Sequence, residues 1–246
     1  MNFFTIHNAK RVFSRGRWLW LALCVWFLLG TCSVLDNRWQ NISRAKTLRV
    51  AMLYSPVTYY NDAQGNGGFD YQVAQQFAQA HGLNLQIVPV SDAQQAQQYL
   101  QQGRVHIAAA GFVSTPTGTQ ATDNLYSDNL QLVSRSVVSN APQYVRGLAR
   151  VPSEYAAQLP LFKQKAPQLT WEVAKDKNAE DVLYDLAEGQ VDFAVASSTM
   201  VRLKGRTMGN LQVGAELTPP RPVHWLLRQD TDNSLATPVR AFFAKW

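Results

Sequence analysis

The stretch Gly67-Gly68-Phe69-Asp70-Tyr71-Gln72-Val73-Ala74 and its continuation to residue 90 decide the fold. The two glycines break a loop, and the acidic residue behind them is predicted to cap the helix that follows. Apolar residues then recur at helical spacing, at Val73, Ala74, Phe77 and Ala78. Gly82 ends this helix, and residues 85–90 have the apolar content of a strand.

Segments typical of strands and of helices alternate on both sides of this unit. Asp92 is predicted to cap a second helix, and residues 39–46 are interpreted as a polar lead-in. Further helices are expected from Ser153 through Leu161 and at 179–186 and 234–246. Strands are expected at 48–53, 105–111, 130–133, 137–138, 169–173, 191–196, 211–215 and 223–227. This alternation predicts an α/β fold with parallel strands and right-handed crossovers.

The composition is that of a globular chain. Its 246 residues are 46% hydrophobic and 16% charged, with a net charge of +6. Four of the basic residues precede an apolar segment near the start: Lys10, Arg11, Arg15 and Arg17. The rest of the chain has no basic run interleaved with aromatic residues, which argues against nucleic-acid binding.

The first 36 residues have the pattern of an export segment. Residues 18–35 carry no charge, and they approach the roughly 20 residues that a membrane-spanning helix needs. The basic residues ahead of them are expected to stay in the cytoplasm, so the remainder of the chain crosses the membrane. Residues 1–36 are therefore predicted to be a signal peptide that is removed or a membrane anchor that is retained.

Two cysteines lie in this segment, and none follows it. Cys32, in Leu29-Gly30-Thr31-Cys32, is a candidate for lipidation, because this run resembles a bacterial lipoprotein processing site. The exported part can form neither an internal disulfide nor a metal site with cysteine ligands. The four histidines show no metal-ligand spacing, and neither a metal nor a cofactor is expected.

Several short motifs, taken in order, resemble family 3 of the periplasmic solute-binding proteins. They are Leu48-Arg49-Val50, Tyr59, Gly68-Phe69-Asp70-Tyr71, Leu100 to Gly103, and Ile107-Ala108-Ala109-Ala110-Gly111. Three further stretches resemble the N-terminal domain of the membrane-bound lytic murein transglycosylase F family. They are Ala166-Pro167-Gln168-Leu169-Thr170-Trp171, Leu186 to Asp192, and Pro222-Val223-His224-Trp225. The resemblance covers residue 47 to the end of the chain.

This resemblance implies an α/β, two-lobed periplasmic binding protein-like (type II) fold behind the N-terminal segment. The solute-binding-like domain would span residues 47–246. Lobe one would comprise about 47–133 plus 217–246, and lobe two about 134–213. A small ligand would bind in the cleft between the lobes as they close about a hinge.

Two charged positions of the family differ in this chain. The Arg that clamps a ligand carboxylate in amino-acid-binding members corresponds to Gly118, and no Lys or Arg occurs from Val105 to Ser134. The Asp that pairs with the ligand ammonium corresponds to Ser197. Each lost charge-assisted contact contributes about 1.5–3 kcal/mol, so tight binding of a free amino acid is not expected.

Two interpretations of the cleft remain open. In one, it binds a neutral or peptidoglycan-derived ligand through five residues, and in the other it binds nothing. The five candidates are Tyr59, Tyr60, Ser114, Thr115 and Ser197.

The resemblance also raises the question of catalysis. Lytic transglycosylases use a catalytic Glu that is followed by Ser, and none of the five Glu residues here is followed by Ser. The catalytic domain is therefore expected to be absent, leaving a non-catalytic regulatory module on the periplasmic side of the cell envelope. The resemblance implies the periphery of the outer membrane, and an inner-membrane anchor is the alternative. A solute receptor for a transporter and a fragment of a longer transglycosylase are the alternative functions.

Overall fold

The computed structural model describes residues 37–136, 141, 144–205, 207–209 and 211–245. The export or anchor segment 1–36, Cys32 and the expected strand 137–138 lie outside the described residues. In the described part of the chain, no helix is both long and apolar enough to cross a membrane.

Lobe one is a mixed sheet flanked by helices. In chain order its first elements are α1 (Arg38–Ala45), β1 (Thr47–Leu53), β2 (Tyr60–Asp62), β3 (Gly65–Gly67), α2 (Phe69–Ala80), β4 (Asn84–Val90), α3 (Ala93–Gln101), β5 (Ile107–Phe112), β6 (Thr119–Ala121) and β7 (Tyr126–Asp128). The chain then passes through lobe two. It returns to lobe one with β13 (Arg221–Arg228) and α7 (Ala236–Phe243).

The sheet of lobe one has the strand order β4-β1-β5-β13-β6, and β7 pairs with β13. Strand β1 is parallel to β4, with Val50 opposite Ile87, and parallel to β5, as the alternating pattern predicts. Strand β13 is antiparallel to β5, because it enters the sheet from the second lobe. The expectation of parallel strands is therefore confirmed for the centre of the sheet and wrong at β13 and β6.

Helix α2 buries the four apolar residues that its periodicity selects: Val73, Ala74, Phe77 and Ala78. Its N-cap is Gly68, and Asp70 does not cap it, contrary to expectation. Gly68 has a φ of 112°, and a Cβ there would lie 2.4 Å from the carbonyl oxygen of Thr58. A side chain would therefore collide with the loop that precedes the helix.

The expected polar lead-in is in fact a helix, α1. The side chain of Asn37 accepts a hydrogen bond from the backbone N–H of Gln40 and caps this helix. Ile42 is only 2% exposed and belongs to the core of lobe one, and the ring of Trp39 lies 5.1 Å from that of His81. Helix α1 therefore packs on lobe one as part of its structure.

Lobe two is a second mixed sheet with its own helices. Its elements are β8 (Leu130–Ser134), β9 (Gly147–Pro152), a 3₁₀ helix (Ser153–Gln158), α4 (Leu159–Lys165), β10 (Leu169–Ala174), α5 (Ala179–Ala187), β11 (Phe193–Ser197), α6 (Ser198–Lys204) and β12 (Gln212–Glu216). The strand order is β10-β9-β11-β8-β12. Strand β8 pairs with β11 and β12, so residues 130–133, which were expected in lobe one, lie in the second sheet.

Two chain segments connect the lobes side by side. The first leaves β7 and enters β8 at Leu130, and the second runs from β12 to β13. They are hydrogen-bonded to each other: the backbone N–H of Leu130 donates to Oγ1 of Thr218 at 2.8 Å, and the N–H of Leu217 donates to the carbonyl of Leu130 at 2.8 Å. Paired segments of this kind form a hinge about which two lobes can rotate.

Candidate functional site

The candidate site is the cleft where the carboxyl ends of the parallel strands in the two sheets meet. Ligands of open α/β sheets bind at this edge, where the N-termini of the following helices offer free N–H groups. Helix α2 and the segment of residues 54–60 follow β1 there. In lobe two, the 3₁₀ helix, α5 and α6 follow β9, β10 and β11.

The N-terminus of α2 is already occupied by the chain itself. The N–H of Phe69 donates to the carbonyl of Val57 at 2.7 Å, and the N–H of Tyr71 donates to the carbonyl of Thr58 at 3.0 Å. The first turn of a helix has N–H groups that need acceptors from outside the helix. Because the preceding loop supplies these acceptors, these two amides are not free to bind the carboxylate of a ligand.

Val57 also joins the two lobes. It belongs to the chain of lobe one, yet its side chain packs in the hydrophobic cluster of lobe two, with Ala179 and Met200. Only 8% of Val57 is exposed, and Pro56 and Thr58 on either side are buried. The cleft is therefore closed at this point by an apolar contact between the lobes.

Replacing Val57 with Asp is expected to separate the lobes, because an unpartnered charged group in an apolar cluster costs several kcal/mol, roughly 3 or more. Hydrogen–deuterium exchange should then become at least about tenfold faster in the loop before α2 and in α6. Val213→Asp is the matched control, because Val213 is 50% exposed on β12. Unchanged exchange in Val57→Asp would show that this side chain does not hold the cleft closed.

The helix N-termini of lobe two are capped by protein side chains as well. Oγ of Ser197 accepts a hydrogen bond from the N–H of Met200 at 3.1 Å. Oδ1 of Asp128 accepts from Oγ of Ser198 at 2.6 Å and from the N–H of Thr199 at 3.0 Å. Asp128 is the last residue of β7, so its carboxylate connects the N-terminus of α6 to the segment that joins the two lobes.

Helix α5 follows the same rule. Asn178 and Asp181 form a capping box at its start, and Oε1 of Glu154 accepts from the N–H of Ala179 at 3.0 Å. Burial is the largest influence on Glu154 and raises the pKa of its carboxyl group. In both lobes, therefore, acceptors of the protein already occupy the positions at which a ligand anion would accept hydrogen bonds.

The two predicted tyrosines make contacts within lobe one. Oη of Tyr59 donates to Oδ1 of Asn66 at 3.1 Å, and its ring lies 5.8 Å from that of Tyr71. The ring of Tyr60 lies over Gly67, where a Cβ would be 2.3 Å from its Cζ. These contacts give both side chains a packing role beside β3.

Ser114 and Thr115 are exposed in the loop after β5. The carbonyl of Ser114 is 3.3 Å from Nε2 of His224, and no described hydrogen bond joins Ser114 or Thr115 to Ser197. Ser197 itself is buried and serves as the N-cap of α6. A role for the five candidate residues in ligand binding stays a prediction.

Gly118, which the family resemblance aligns with the ligand-clamping Arg, has the backbone of a glycine position. Its φ is +77°, and its carbonyl accepts from the N–H of Gln229 at 3.0 Å. A residue with a side chain would be strained in this left-handed conformation by about 1 kcal/mol. The backbone conformation of the loop at residue 118 therefore disfavours an arginine at this position.

A buried carboxyl group at the base of the cleft is the feature that the sequence did not reveal. Asp70 is 1% exposed, and its Oδ1 accepts a hydrogen bond from Nε1 of Trp225 at 3.1 Å. Oδ2 has no partner among the described residues. Burial raises the pKa of Asp70 to about 7, although the hydrogen bond from Trp225 opposes the shift.

The charge of Asp70 also acts on Tyr126 in β7, just before the chain passes into lobe two. Burial is the largest influence on Tyr126 and raises the pKa of its phenol, and the charges of Asp70 and Asp128 raise it further. The groups at the base of the cleft are thus acidic, which disfavours a carboxylate ligand. In the described part of the chain, no group of three His, Cys, Asp or Glu residues is placed to hold a metal ion.

Two α/β lobes that meet at the carboxyl ends of their strands and are joined by two crossovers define a type II periplasmic binding protein-like fold. The sequence comparison agrees with this class. The family model of the bacterial extracellular solute-binding proteins, family 3, matches residues 48–175, and the chain belongs to this family.

Curated relatives extend the match over most of the chain. The membrane-bound lytic murein transglycosylase F of Shewanella pealeana is 28% identical over 235 residues, which are 92% of this chain and 49% of the relative. The protein of the same name from Cronobacter sakazakii is 30% identical over 92% of this chain and 45% of its own length. The chain thus spans about half the length of these relatives and corresponds to their N-terminal region.

Solved structures with the same fold bind amino acids. The arginine-bound form of ArgBP from T. maritima has a TM-score of 0.65 at 17% identity, covering 83% of this chain and 98% of that chain. A substrate-binding protein of an ABC uptake transporter from Streptococcus pneumoniae, with bound histidine, has a TM-score of 0.66 at 14% identity, covering 85% and 90%. At these identities the likeness concerns the fold alone.

Proposed function

We propose that this chain is a non-catalytic, regulatory solute-binding-like module of the cell envelope that does not bind free amino acids. The observation that carries the proposal is the closure of the cleft by Val57, which packs in the cluster of lobe two. A ligand between the lobes would have to displace this side chain and the backbone acceptors around it. The cost of that displacement would reduce the affinity for any small ligand.

The charges of the cleft support the same conclusion. Gly118 and Ser197 stand where amino-acid-binding members of the family place the ligand-clamping Arg and Asp. Asp70, Asp128 and Glu154 lie around the cleft instead, and each carboxyl group already has a partner in the protein. A zwitterionic amino acid would therefore find no cation in place of that Arg, and the carboxyl groups around the cleft would repel its carboxylate.

The regulatory part of the proposal comes from the relatives. Their name gives a membrane-bound lytic murein transglycosylase, and this chain matches about half of their length. A module with two lobes and a hinge can control an attached or neighbouring enzyme by opening and closing. We infer that the partner is a peptidoglycan-cleaving activity, either in the same polypeptide or in a separate one.

The proposed location is the periplasmic side of the envelope, with the chain associated with a membrane. The relatives are described as membrane-bound, and residues 18–35 of this chain carry no charge. Retention of that segment, its removal and lipidation at Cys32 are the alternatives. A mature protein that starts after residue 32 without a lipid would argue against an anchor.

A solute receptor is the second candidate function, because structures with this fold hold arginine and histidine. Titration calorimetry of the full chain in neutral detergent, against each of the standard amino acids, separates the two. No binding tighter than about 1 mM is expected, since two charge-assisted contacts are missing. Micromolar binding of any one amino acid would contradict the proposal, and release of anhydro-muropeptides from purified peptidoglycan would contradict its non-catalytic part.

A further inference from the structure

A cavity of ≈ 580 Å³ lies on lobe one, on the side away from the cleft. It lies near the amino-terminal ends of β1 and β5, whereas the cleft lies at the carboxyl ends of the parallel strands. Helix α1 and the segment after β13 complete its walls. Its charged and ionisable lining residues are Arg38, Arg49, His106, Arg228, Asp230 and Asp232.

Both carboxylates of this cavity already have partners. Asp230 accepts from Nη2 of Arg38 and, at 2.7 Å, from Nε of Arg228. Asp232 accepts from the backbone N–H groups of Arg38 and Ser234. Burial would raise the pKa of Asp232, but these hydrogen bonds and the charge of Arg38 outweigh it and hold the pKa below its ordinary value. Both carboxylates are thus tied to donors of the protein.

Arg49 is the cation that these carboxylates do not neutralise. Its Nε donates to the carbonyl of Arg104 at 2.7 Å and its Nη2 to the carbonyl of Gly103 at 3.4 Å. Among the described ion pairs, none includes Arg49. Backbone carbonyls orient the guanidinium, but they do not cancel its charge.

His106 is half-buried in the wall of the cavity, beside Arg49. Its Nδ1 accepts a hydrogen bond from the N–H of Arg49 at 3.0 Å, so this nitrogen carries no proton. Burial, together with the smaller effect of the charges of Arg49 and Arg38, lowers the pKa of His106 to about 4. The imidazole is therefore neutral at pH 7, and it neither adds to nor cancels the positive charge of the guanidinium groups beside it.

We propose that this cavity binds a phosphate group, with Arg49 as its main ligand and Arg228 as the second, because no described hydrogen bond uses Nη1 or Nη2 of Arg228. A guanidinium group presents paired N–H donors that match the oxygens of a phosphate. The volume exceeds that of inorganic phosphate, so a phosphate that carries an organic substituent fits the space better.

The order of the chain favours a phospholipid headgroup as the source of this phosphate. Asn37, the N-cap of α1, follows the uncharged stretch of residues 18–35 by two residues, a span of at most about 7 Å. If that stretch lies in a membrane, the cavity beside α1 is held at the level of the headgroups. Basic groups at this level are attracted to anionic lipids by about 1 kcal/mol each.

Calorimetric titration of the full chain in neutral detergent tests the site. The three probes are sodium phosphate, glycerol 3-phosphate and detergent micelles doped with phosphatidylglycerol. Sodium chloride of equal ionic strength is the control for the two soluble phosphates. Micelles doped with phosphatidylcholine are the control for phosphatidylglycerol. Arg49→Gln and Arg228→Gln are each expected to weaken binding of phosphatidylglycerol at least about tenfold. Arg146→Gln removes the same charge from an exposed position in lobe two and should leave binding unchanged.

The outcomes distinguish the two sources of the phosphate group and can overturn the proposal. Saturable binding of phosphatidylglycerol alone identifies a lipid headgroup, and binding of the soluble phosphates as well identifies a general phosphate site. Wild-type affinity in both cavity variants, an equal loss in the lobe-two control, or no saturable binding of any probe would overturn the proposal. Thermal melts in chloride show whether the variants fold. The result is independent of the amino-acid titration, because the cavity and the cleft lie on opposite sides of lobe one.

Discussion

The free energy of unfolding of the wild-type chain is expected to fall as the pH rises from about 4 to 7, and Asp70→Asn is expected to abolish most of this decrease. In the folded protein the carboxyl group is buried with a pKa of about 7, compared with an ordinary value of 3.8. The folded state therefore binds more protons than the unfolded state in this interval. Where the folded state binds more protons than the unfolded state, the free energy of unfolding decreases with rising pH. The decrease therefore extends from pH 3.8, the ordinary pKa, to about pH 7, the pKa in the folded protein.

The size of this effect follows from the two pKa values. A difference of about 3 units corresponds to roughly 4 kcal/mol, since each unit is about 1.4 kcal/mol. Asparagine keeps an oxygen that can accept from Nε1 of Trp225, and it cannot ionise. The variant and the wild type should therefore be similar in stability near pH 4, and the variant should be more stable by about 4 kcal/mol at pH 8.

Urea unfolding at pH 4, 5.5, 7 and 8 measures this difference directly. Asp123→Asn is the matched control, because Asp123 is exposed and loses the same charge. Its effect on stability should be small at every pH. A constant difference between Asp70→Asn and wild type across the four pH values would show that ionisation of Asp70 is not the cause.

Asp185→Ala is expected to destabilise lobe two by about 3 kcal/mol, because removing one partner of a buried ion pair leaves the other charge without compensation. The carboxylate accepts from Nη1 of Arg150 at 2.7 Å and from Nζ of Lys177 at 2.6 Å. Its side chain is 6% exposed. Nε of Arg150 already lacks a partner, so the guanidinium has little means of replacing the lost bond.

Glu172→Gln provides the matched control on the same arginine. Glu172 bonds to Nη2 of Arg150 at 3.0 Å, but its side chain is 48% exposed. A loss below about 1 kcal/mol is expected for this exposed pair. Equal losses in the two variants, measured by urea unfolding at pH 7, would contradict the assignment of the buried pair as the stronger one.

The pH dependence of the Asp185 contribution has the opposite sign from that of Asp70. Burial would raise the pKa of Asp185, but the hydrogen bonds and charges of Lys177 and Arg150 outweigh it and lower the pKa. The contribution is thus complete above the ordinary pKa of 3.8 and is lost on acidification through the folded value.

Elements with strong apolar periodicity were predictable from the sequence. Helices α2, α3 and α5 and strands β1, β4, β5, β10 and β11 lie where apolar spacing places them, because one face of each is buried. Helix α1 was missed, since only Ile42 among its residues is buried. Strand β9 was missed because it contains Arg150 and ends at Pro152, and β2 and β3 are too short to show an alternation.

For the candidate site, the sequence predicted only which charged residues of the family are missing. The resemblance aligns Gly118 and Ser197 with the two charged positions of the family, and this assignment stays a prediction. The structure gives each of them a local role: a left-handed turn and a helix cap. Asp70 was expected to be a helix cap and is instead a buried carboxyl group. Its partner Trp225 is 155 residues away, and no local pattern connects them.

The sequence by itself determined the α/β unit around residues 67–90, the faces that its elements bury, and the absence of any Lys or Arg from residue 105 to residue 134. The tertiary structure alone decided that Val57 closes the cleft, that Asp70 is buried and that Arg49 and His106 meet in a cavity. Periodicity records the burial of a face within one element, which is a local property. Contacts between residues far apart in the chain depend on how the elements are connected and packed, and charge and closure at a site arise from those contacts.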